Sequence, residues 1–198
     1  MIILEAKQPL PAHGVDDRVV EELIVLTGPP QNRSDDHEIV RRFFGKSGRH
    51  VVCGGTTARI VARSLGRSLT VDLSSINKNL PPKSRIDGID FVSEGILTLM
   101  RVLSYLRNDG EGLVSTDPRD TASDIVRLLE EADGVHFIVG LAQNPANLDP
   151  KLSMPLFDHQ KIHLEISPEI RLENRLELVC GIAQELEHRG TKVILETV

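Results

Sequence analysis

Tryptophan is absent from this sequence, and its 198 residues include only one tyrosine and five phenylalanines. A protein this poor in aromatic residues has to build its core mainly from isoleucine, valine and leucine. Such β-branched and aliphatic residues pack well in a sheet that is buried on both faces. The chain is long enough for one sizeable core and short for two, so we expect a single α/β domain.

Long apolar runs and a cysteine framework are also missing. The two cysteines, Cys53 and Cys180, are too few and too far apart in the sequence to form a network of disulfides. No apolar run approaches the ~20 residues of a membrane span, and no signal peptide pattern opens the chain. These absences predict a cytoplasmic protein that has no membrane partner.

The net charge of −6 argues against nucleic acid as the main partner. The charge is unevenly spread: residues 33–67 contain eight basic and three acidic residues, whereas residues 130–198 contain six and twelve. The basic segment includes a glycine-rich turn, so an anionic ligand could bind there. Solvated helix faces of either sign would explain the same pattern.

Periodicity predicts an alternation of strands and helices. Apolar runs bounded by glycine or proline predict strands at residues 23–26, 50–53, 69–73, 135–139 and 193–195, and alternating residues predict another at 162–166. Helices are predicted at residues 34–44, 56–65, 90–106, 120–132 and from 168 to about 190, with a long loop at 141–157. This order predicts a three-layer α/β sandwich with a mostly parallel, Rossmann-like sheet. Residues 23–198 would form the domain, and residues 1–22 a strand or linker.

Three predicted strand ends carry unusual loops: residues 27–30, residues 53–57 and the loop after Gly140. Ligands of parallel sheets bind outside the carboxyl ends of the strands. The turn at 53–57 is the sharpest candidate, because Gly54 and Gly55 allow close approach of a ligand and the helix start offers free N–H groups. Thr56 and Thr57 add hydroxyl donors. The alternative is a tight connection in which Thr56 is an ordinary N-cap.

Cys53 and Arg59 allow a second interpretation of the same turn. A cysteine at a strand end with an arginine six positions later resembles the cysteine-dependent phosphatases, in which a thiolate attacks phosphate held by the arginine. Those enzymes usually have glycine three positions after the cysteine, where this chain has Thr56. Cys53 could equally serve only in packing.

Asp90 and Glu94 lie four residues apart at the start of the predicted helix 90–106. Two carboxylates on one helical face could hold a divalent cation or act as acid and base. Alternatively, Asp90 caps the helix and Glu94 complements its dipole. Asn144, in the long loop after the fourth strand, is a further candidate ligand-binding residue. His159 and His163 are too far apart on a strand to share a metal.

Four stretches in the same order carry a family resemblance: residues 26–30, 52–58, 88–96, and 137–140 with Asn144-Pro145-Ala146. Together they resemble the region downstream of the catalytic domain in bacterial SpoIIE-type serine/threonine phosphatases of the metal-dependent PPM class. The catalytic aspartate motifs of that class are not found here. The resemblance implies a bacterial, phosphatase-associated module that could partner a PPM-type phosphatase domain.

The sequence thus leads to three hypotheses. The first is a regulatory or ligand-sensing module that binds a phosphorylated small molecule at residues 54–57, with Asp90, Glu94 and Asn144 nearby. The second is a stand-alone phosphatase or hydrolase that uses Cys53 and Arg59, or a metal at Asp90 and Glu94. The third is a structural homodimer with the apolar helix 90–106 in its interface. The sequence does not identify a cofactor.

Overall fold

The computed structural model describes residues 21–72, 83–107, 117, 119–142 and 175–198. These residues form seven strands, five α-helices and a short 3-10 helix at Arg33–Asp35. The strands are β1 (Glu22–Thr27), β2 (Arg49–Cys53), β3 (Leu69–Asp72), β4 (Lys83–Ile86), β5 (Phe91–Ser93), β6 (Gly134–Val139) and β7 (Lys192–Thr197). The helices are α1 (Asp36–Phe44), α2 (Gly55–Leu65), α3 (Ile96–Arg107), α4 (Thr121–Glu131) and α5 (Arg175–His188).

All seven described strands belong to one sheet, in the order β3-β4-β5-β2-β1-β6-β7. Strand β4 is antiparallel to both of its neighbours, and every other adjacent pair is parallel. Helices cover both faces of the sheet. The predicted α/β architecture with a mostly parallel sheet is therefore confirmed.

Alternation along the central strand β1 separates two cores. Leu23 and Val25 pack with residues of α3, α4 and α5 on one face. Ile24 and Leu26 pack with residues of α1 and α2 on the other. All four side chains are at most 2% exposed, because β1 lies inside the sheet and is covered on both faces.

The predicted helix 90–106 is partly wrong. Residues 91–93 form β5, which pairs with β2, and helix α3 starts at Ile96. Asp90 does not cap a helix: its carboxylate accepts a hydrogen bond from the His50 N–H over 2.6 Å. Strand β4 was not predicted at all. Pairing with neighbouring strands determines both of these short elements, and periodicity cannot detect it.

Helix α3 is part of the core, so the hypothesis of a dimer built on this apolar helix is wrong as stated. Its large apolar side chains face α4, α5 and the sheet, where they are almost fully buried. These residues are Leu99, Met100, Val102, Leu103 and Leu106. An interface with another chain would need a different surface.

A buried polar network joins α3 to α4. Asp120, the N-cap of α4, is 1% exposed and accepts a hydrogen bond from the Ala122 N–H over 3.1 Å. Its other oxygen accepts hydrogen bonds from Arg101, Tyr105 and Ser123. Because every donor is supplied by the protein, this buried carboxylate is well satisfied.

Several predictions lie outside the described residues. They include the strand at 162–166, the N-terminal segment up to residue 20, and Asn144 with most of its loop. Within the described ranges, no helix combines the length and the apolarity needed to span a bilayer.

Candidate functional site

The carboxyl ends of four parallel strands lie side by side, in the order β5, β2, β1 and β6. We call this end of the sheet the carboxyl edge. A glycine stands one or two residues beyond each strand end: Gly95, Gly54, Gly28 and Gly140. The chain runs from β1 to β2 on one side of β1 and later from β5 to β6 on the other. The topological switch point therefore lies between β1 and β6, the usual position of a ligand crevice in such sheets.

The Gly54 turn connects β2 to α2 at this edge. Gly54 adopts φ 123°, which side chains disfavour, and its N–H donates to the Ser93 carbonyl over 2.9 Å. The first hydrogen bond into the helix runs from the Ala58 N–H to the Gly54 carbonyl. In the described part of the chain, the N–H groups of residues 55–57 have no acceptor. The turn therefore presents three free donors at a helix start.

The two threonines of the turn differ in exposure. Thr57 is 2% exposed and faces the core, whereas Thr56 is open to solvent. No side chain caps the helix, so Thr56 is not an N-cap; the capping position belongs to Gly54. Only Thr56 could offer its hydroxyl to a ligand that approaches from solvent.

Glu94 lies beside the turn. A Cβ built on Gly55 would lie 3.6 Å from Glu94 Oε2 and 3.9 Å from Oε1. Burial raises the pKa of Glu94, and the positive charge of Arg59 partly offsets this shift. The structure therefore brings Glu94 together with Gly54 and Gly55, and places a carboxylate near the positive end of α2.

Asp90 lies at the opposite ends of the strands, directly before the first residue of β5. It precedes β5 and Glu94 follows it, so the two residues are about 13 Å apart along the chain. Asp90 lines an open cavity of about 350 Å³ with residues of β2 and α4. A shared metal at Asp90 and Glu94 is therefore wrong. Moreover, no cluster of three His, Cys, Asp or Glu side chains suited to a metal occurs among the described residues.

The Cys53 side chain points into the core rather than into the turn. It is 0% exposed, and burial raises the pKa of its thiol to about 11, although a hydrogen bond with Ser93 acts in the opposite direction. At neutral pH only on the order of one molecule in ten thousand would carry the thiolate. Arg59 lies on an exposed face of α2. This geometry disfavours a cysteine-based phosphatase.

The loops after β1 and β6 meet at the switch point. Gly28 has φ 82°, and a Cβ built on Gly140 would collide with the backbone oxygens of Gly28 and Pro29. The Ala142 N–H also donates to the Pro29 carbonyl over 3.1 Å. Two of the three loops singled out from the sequence are therefore in direct contact, and neither glycine tolerates a side chain.

Arg175, the first described residue of α5, was missed by sequence reasoning. Its Nη1 donates to the carbonyls of Gly140, over 2.8 Å, and Ala142, over 3.4 Å, and its guanidinium also touches Gly28. Burial lowers the pKa of Arg175. In the described residues this partly buried cation has only carbonyl partners. No sequence signal marks it, because the contact joins residues 35 positions apart.

Two buried hydroxyls near this edge also lack partners. Thr27 ends β1 and is 0% exposed, and Thr98 lies in the first turn of α3 and is 1% exposed. Neither Oγ1 atom has a hydrogen-bonding partner among the described residues. Since buried polar groups are normally paired, each is available to water or to a polar ligand.

Comparisons with protein-family models, curated proteins and solved structures give no match to this chain. The resemblance to SpoIIE-type phosphatases therefore stays a prediction.

Proposed function

We propose that this protein is a regulatory or ligand-sensing module that binds an anionic, phosphorylated small molecule at the carboxyl edge of its sheet. The anionic group would accept hydrogen bonds from the N–H groups of residues 55–57. Arg175 would supply the opposite charge from across the end of β1. The remainder of the ligand would extend along the crevice between β1 and β6.

The observation that carries the proposal is the environment of Arg175. A partly buried guanidinium whose pKa is lowered by burial gains from a counterion, and its described partners are uncharged carbonyls. Gly28, which it touches, follows Thr27, and Thr27 is the register partner of Cys53, the residue before Gly54. Gly28 and Gly54 thus follow paired positions on strands about 4.8 Å apart, and Arg175 lies on the β6 side of Gly28, across the end of β1 from the turn.

Glu94 indicates which anions fit. Its carboxylate beside Gly55 would repel a bare phosphate but could accept hydrogen bonds from hydroxyl groups. Sugar phosphates and nucleotides carry hydroxyls close to their phosphate. They suit this edge better than inorganic phosphate does.

The family resemblance suggests how binding would be used. In the region it resembles, a tail of this kind follows a PPM-type phosphatase domain. Ligand binding here would then modulate such a partner domain, consistent with a Cys53 that is unsuited to catalysis in this chain.

Titration of the ¹⁵N-labelled protein with glucose 6-phosphate, AMP and inorganic phosphate tests the proposal. We expect the amide signals of Gly55, Thr56 and Thr57 to shift with saturation, and the two organic phosphates to bind more tightly than inorganic phosphate. A thermal-shift series with the same compounds gives an independent measurement.

Gly55→Leu provides the matched variant. Leucine can adopt the helical backbone of this position, and its side chain would occupy the space between the turn and Glu94. Loss of binding with a retained unfolding transition would support the site. If no phosphate compound shifts these amides, or if Gly55→Leu binds like the wild type, the proposal fails.

A further inference from the structure

The outer edge of β7 is the surface that fits a second copy of this chain. We propose that β7 pairs antiparallel with the partner's β7 about a two-fold axis at Ile194. The two sheets would then join into one continuous sheet. This inference is independent of ligand binding at the carboxyl edge.

Strand β7 is the last strand of the sheet, and no described strand pairs with its outer side. Ile194 is 45% exposed and Leu195 is 37% exposed. Among the described residues, the only other large hydrophobic side chain with such exposure is Val71, on the opposite edge strand. Proteins usually protect an edge with proline, a bulge, a very short strand or a charged residue. The six residues of β7 contain no proline, and their two charged residues, Lys192 and Glu196, are of opposite sign, so they protect the edge less against a second copy than against other strands.

The hydrogen bonds to β6 show which backbone groups of β7 point outward. The Val198 N–H donates to the Val139 carbonyl, and the Val198 carbonyl accepts from the Leu141 N–H. The backbone N–H and C=O groups of Val198 therefore point to β6, and by alternation so do the backbone groups of Lys192, Ile194 and Glu196. The N–H and C=O groups of Val193, Leu195 and Thr197 point to the free edge.

The sequence of β7 is complementary to itself when it is read in the opposite direction. Residues 191–197 read Thr-Lys-Val-Ile-Leu-Glu-Thr, with Ile194 at the centre. Antiparallel pairing about Ile194 places Lys192 opposite the partner's Glu196 and Val193 opposite the partner's Leu195. Opposite charges and aliphatic pairs are both favourable across strands. The pattern is self-complementary, as a two-fold interface requires.

Backbone and side chains select the same register. With the axis at Ile194, the outward groups of Val193 face those of the partner's Leu195 and form a hydrogen-bonded pair. An axis between two residues would place the outward N–H and C=O groups of one strand opposite residues of the partner whose backbone groups point to β6, so no hydrogen bonds would form. An axis at Val193 or Leu195 keeps the ladder, but sets Ile194 against Lys192 or against Glu196 respectively. Only the axis at Ile194 matches hydrogen bonds, charges and apolar residues together.

The charges favour a second copy over an unrelated strand. Lys192 is exposed and has no carboxylate partner in the described part of the chain. Glu196 contacts Arg42, lies 3.7 Å from Lys46 Nζ and accepts a hydrogen bond from His136 Nε2 over 3.1 Å. These groups fix the position of the Glu196 carboxylate but already neutralise its charge, so the attraction of the partner's Lys192 would be weak. Its contribution is to the register, because the axis at Ile194 sets Lys192 beside a carboxylate rather than beside an apolar residue.

Disulfide trapping tests the register directly. In a non-hydrogen-bonded antiparallel pair, Cα atoms lie about 4.5 Å apart, within the roughly 4.4–6.8 Å that a disulfide spans. In a Cys180→Ser background, Ile194→Cys should therefore form a disulfide-linked dimer under mild oxidation. Lys192→Cys is the matched control, because its two copies would be more than about 13 Å apart and should not cross-link.

Sedimentation over a concentration series tests the assembly without cysteines. We expect the wild type to dimerise, and Ile194→Lys, which sets two ammonium groups face to face at the axis, to raise the dimer dissociation constant at least roughly 100-fold. Val71→Lys changes the other edge strand and should leave dimerisation unchanged. Circular dichroism would verify that both variants fold.

Two results would overturn the proposal. One is a dimer that Ile194→Lys does not weaken or that Lys192→Cys traps as well as Ile194→Cys. The other is a wild-type monomer at every concentration. If the Val193 and Leu195 amides of that monomer are protected from hydrogen exchange, the occupant of the edge is a segment of the same chain.

Discussion

Arg175 Nη1 donates to the carbonyl oxygen of Gly140 over 2.8 Å, and this contact ties α5 to the end of β6. The same guanidinium touches Gly28 at the end of β1. The cation therefore spans the topological switch point of the sheet. The residue at 28 has to lack a side chain because its φ is 82° and a Cβ there would collide with the backbone oxygen of Gly140.

Arg175→Ala should weaken binding of glucose 6-phosphate at least about 10-fold, because the partly buried cation supplies a charge-assisted contact. Arg175→Lys should retain part of the affinity. Isothermal titration calorimetry would measure both. Arg41→Ala is the control, since Arg41 is an exposed cation on α1 paired with Glu38. Equal affinities of Arg175→Ala and wild type would contradict the role of Arg175.

Glu94→Gln should bind the same phosphate compound about 3- to 10-fold more tightly near pH 7. The substitution removes a negative charge beside the three free N–H groups. The gain should be largest for inorganic phosphate, which has few hydroxyls to offer the carboxylate. An unchanged ratio between inorganic and organic phosphate in this variant would argue against contact between ligand and Glu94.

Glu94→Gln also has an expected effect on stability. Burial raises the pKa of Glu94 in the folded protein, so the folded state holds this proton more tightly than the unfolded state does. Stability contributed by Glu94 should fall as pH rises from the ordinary glutamate pKa through the raised one. Glu94→Gln should flatten this decline, which urea unfolding between about pH 4.5 and 8 would measure. A steeper decline would contradict the raised pKa.

Much of the fold was accessible from the sequence because apolar runs and helical periodicity match single elements. The runs at Leu23–Leu26 and Val135–Val139 predicted strands that the structure has at nearly those positions. Tertiary pairing decided the region from residue 83 to 95. Lys83–Ile86 has no apolar alternation, and Phe91–Ser93 forms a strand only because β2 lies beside it.

The candidate site was predictable only in part. Gly54 and Gly55 correctly predicted a strand-to-helix turn. Glu94 was predicted to lie in the first turn of a helix, but helix α3 begins only at Ile96. The meeting of Gly28 with Gly140 depends on the order of strands in the sheet, which no local pattern encodes. Arg175 reaches them from a helix far along the chain, so its role could be seen only in three dimensions.

Gly140→Ala should destabilise the protein by about 2–4 kcal/mol. The added methyl would collide with the backbone oxygens of Gly28 and Pro29, and backbone cannot move aside as a flexible side chain can. Gly66→Asn is the control: Gly66 has φ 63° in open space, a conformation that asparagine tolerates, and should cost under about 1 kcal/mol. Denaturant unfolding would compare them, and similar losses would contradict the close approach of β1 and β6.

Native Cys53 should resist thiol reagents, because the thiol is fully buried and its pKa is raised to about 11. The partly exposed Cys180 should react first with Ellman's reagent, and Cys53 only after unfolding in urea. Cys180→Ser isolates the Cys53 signal. Rapid labelling of Cys53 in the folded Cys180→Ser protein would reopen the cysteine-phosphatase hypothesis.

Asp120→Asn should destabilise the protein by about 2–3 kcal/mol near pH 7, because Asp120 is the buried acceptor that joins α3 to α4. Burial alone would raise the pKa of Asp120, but hydrogen bonds from Tyr105, Arg101 and Ser123 and the charge of Arg101 lower it overall. The contribution is then complete above the ordinary aspartate pKa and is lost as pH falls through the lowered one.

The difference between wild type and Asp120→Asn should therefore shrink as the pH falls below the ordinary aspartate pKa and through the lowered pKa of Asp120, because both proteins then carry a neutral side chain at residue 120. Urea unfolding at several pH values would measure it. Asp87→Asn, in an exposed turn, is the control and should track the wild type. A difference that stays constant down to the lowest pH would mean that packing, rather than the carboxylate charge, accounts for the loss. In that case the Asp120 side chain would hold α3 and α4 together through its packing contacts and not through its charge.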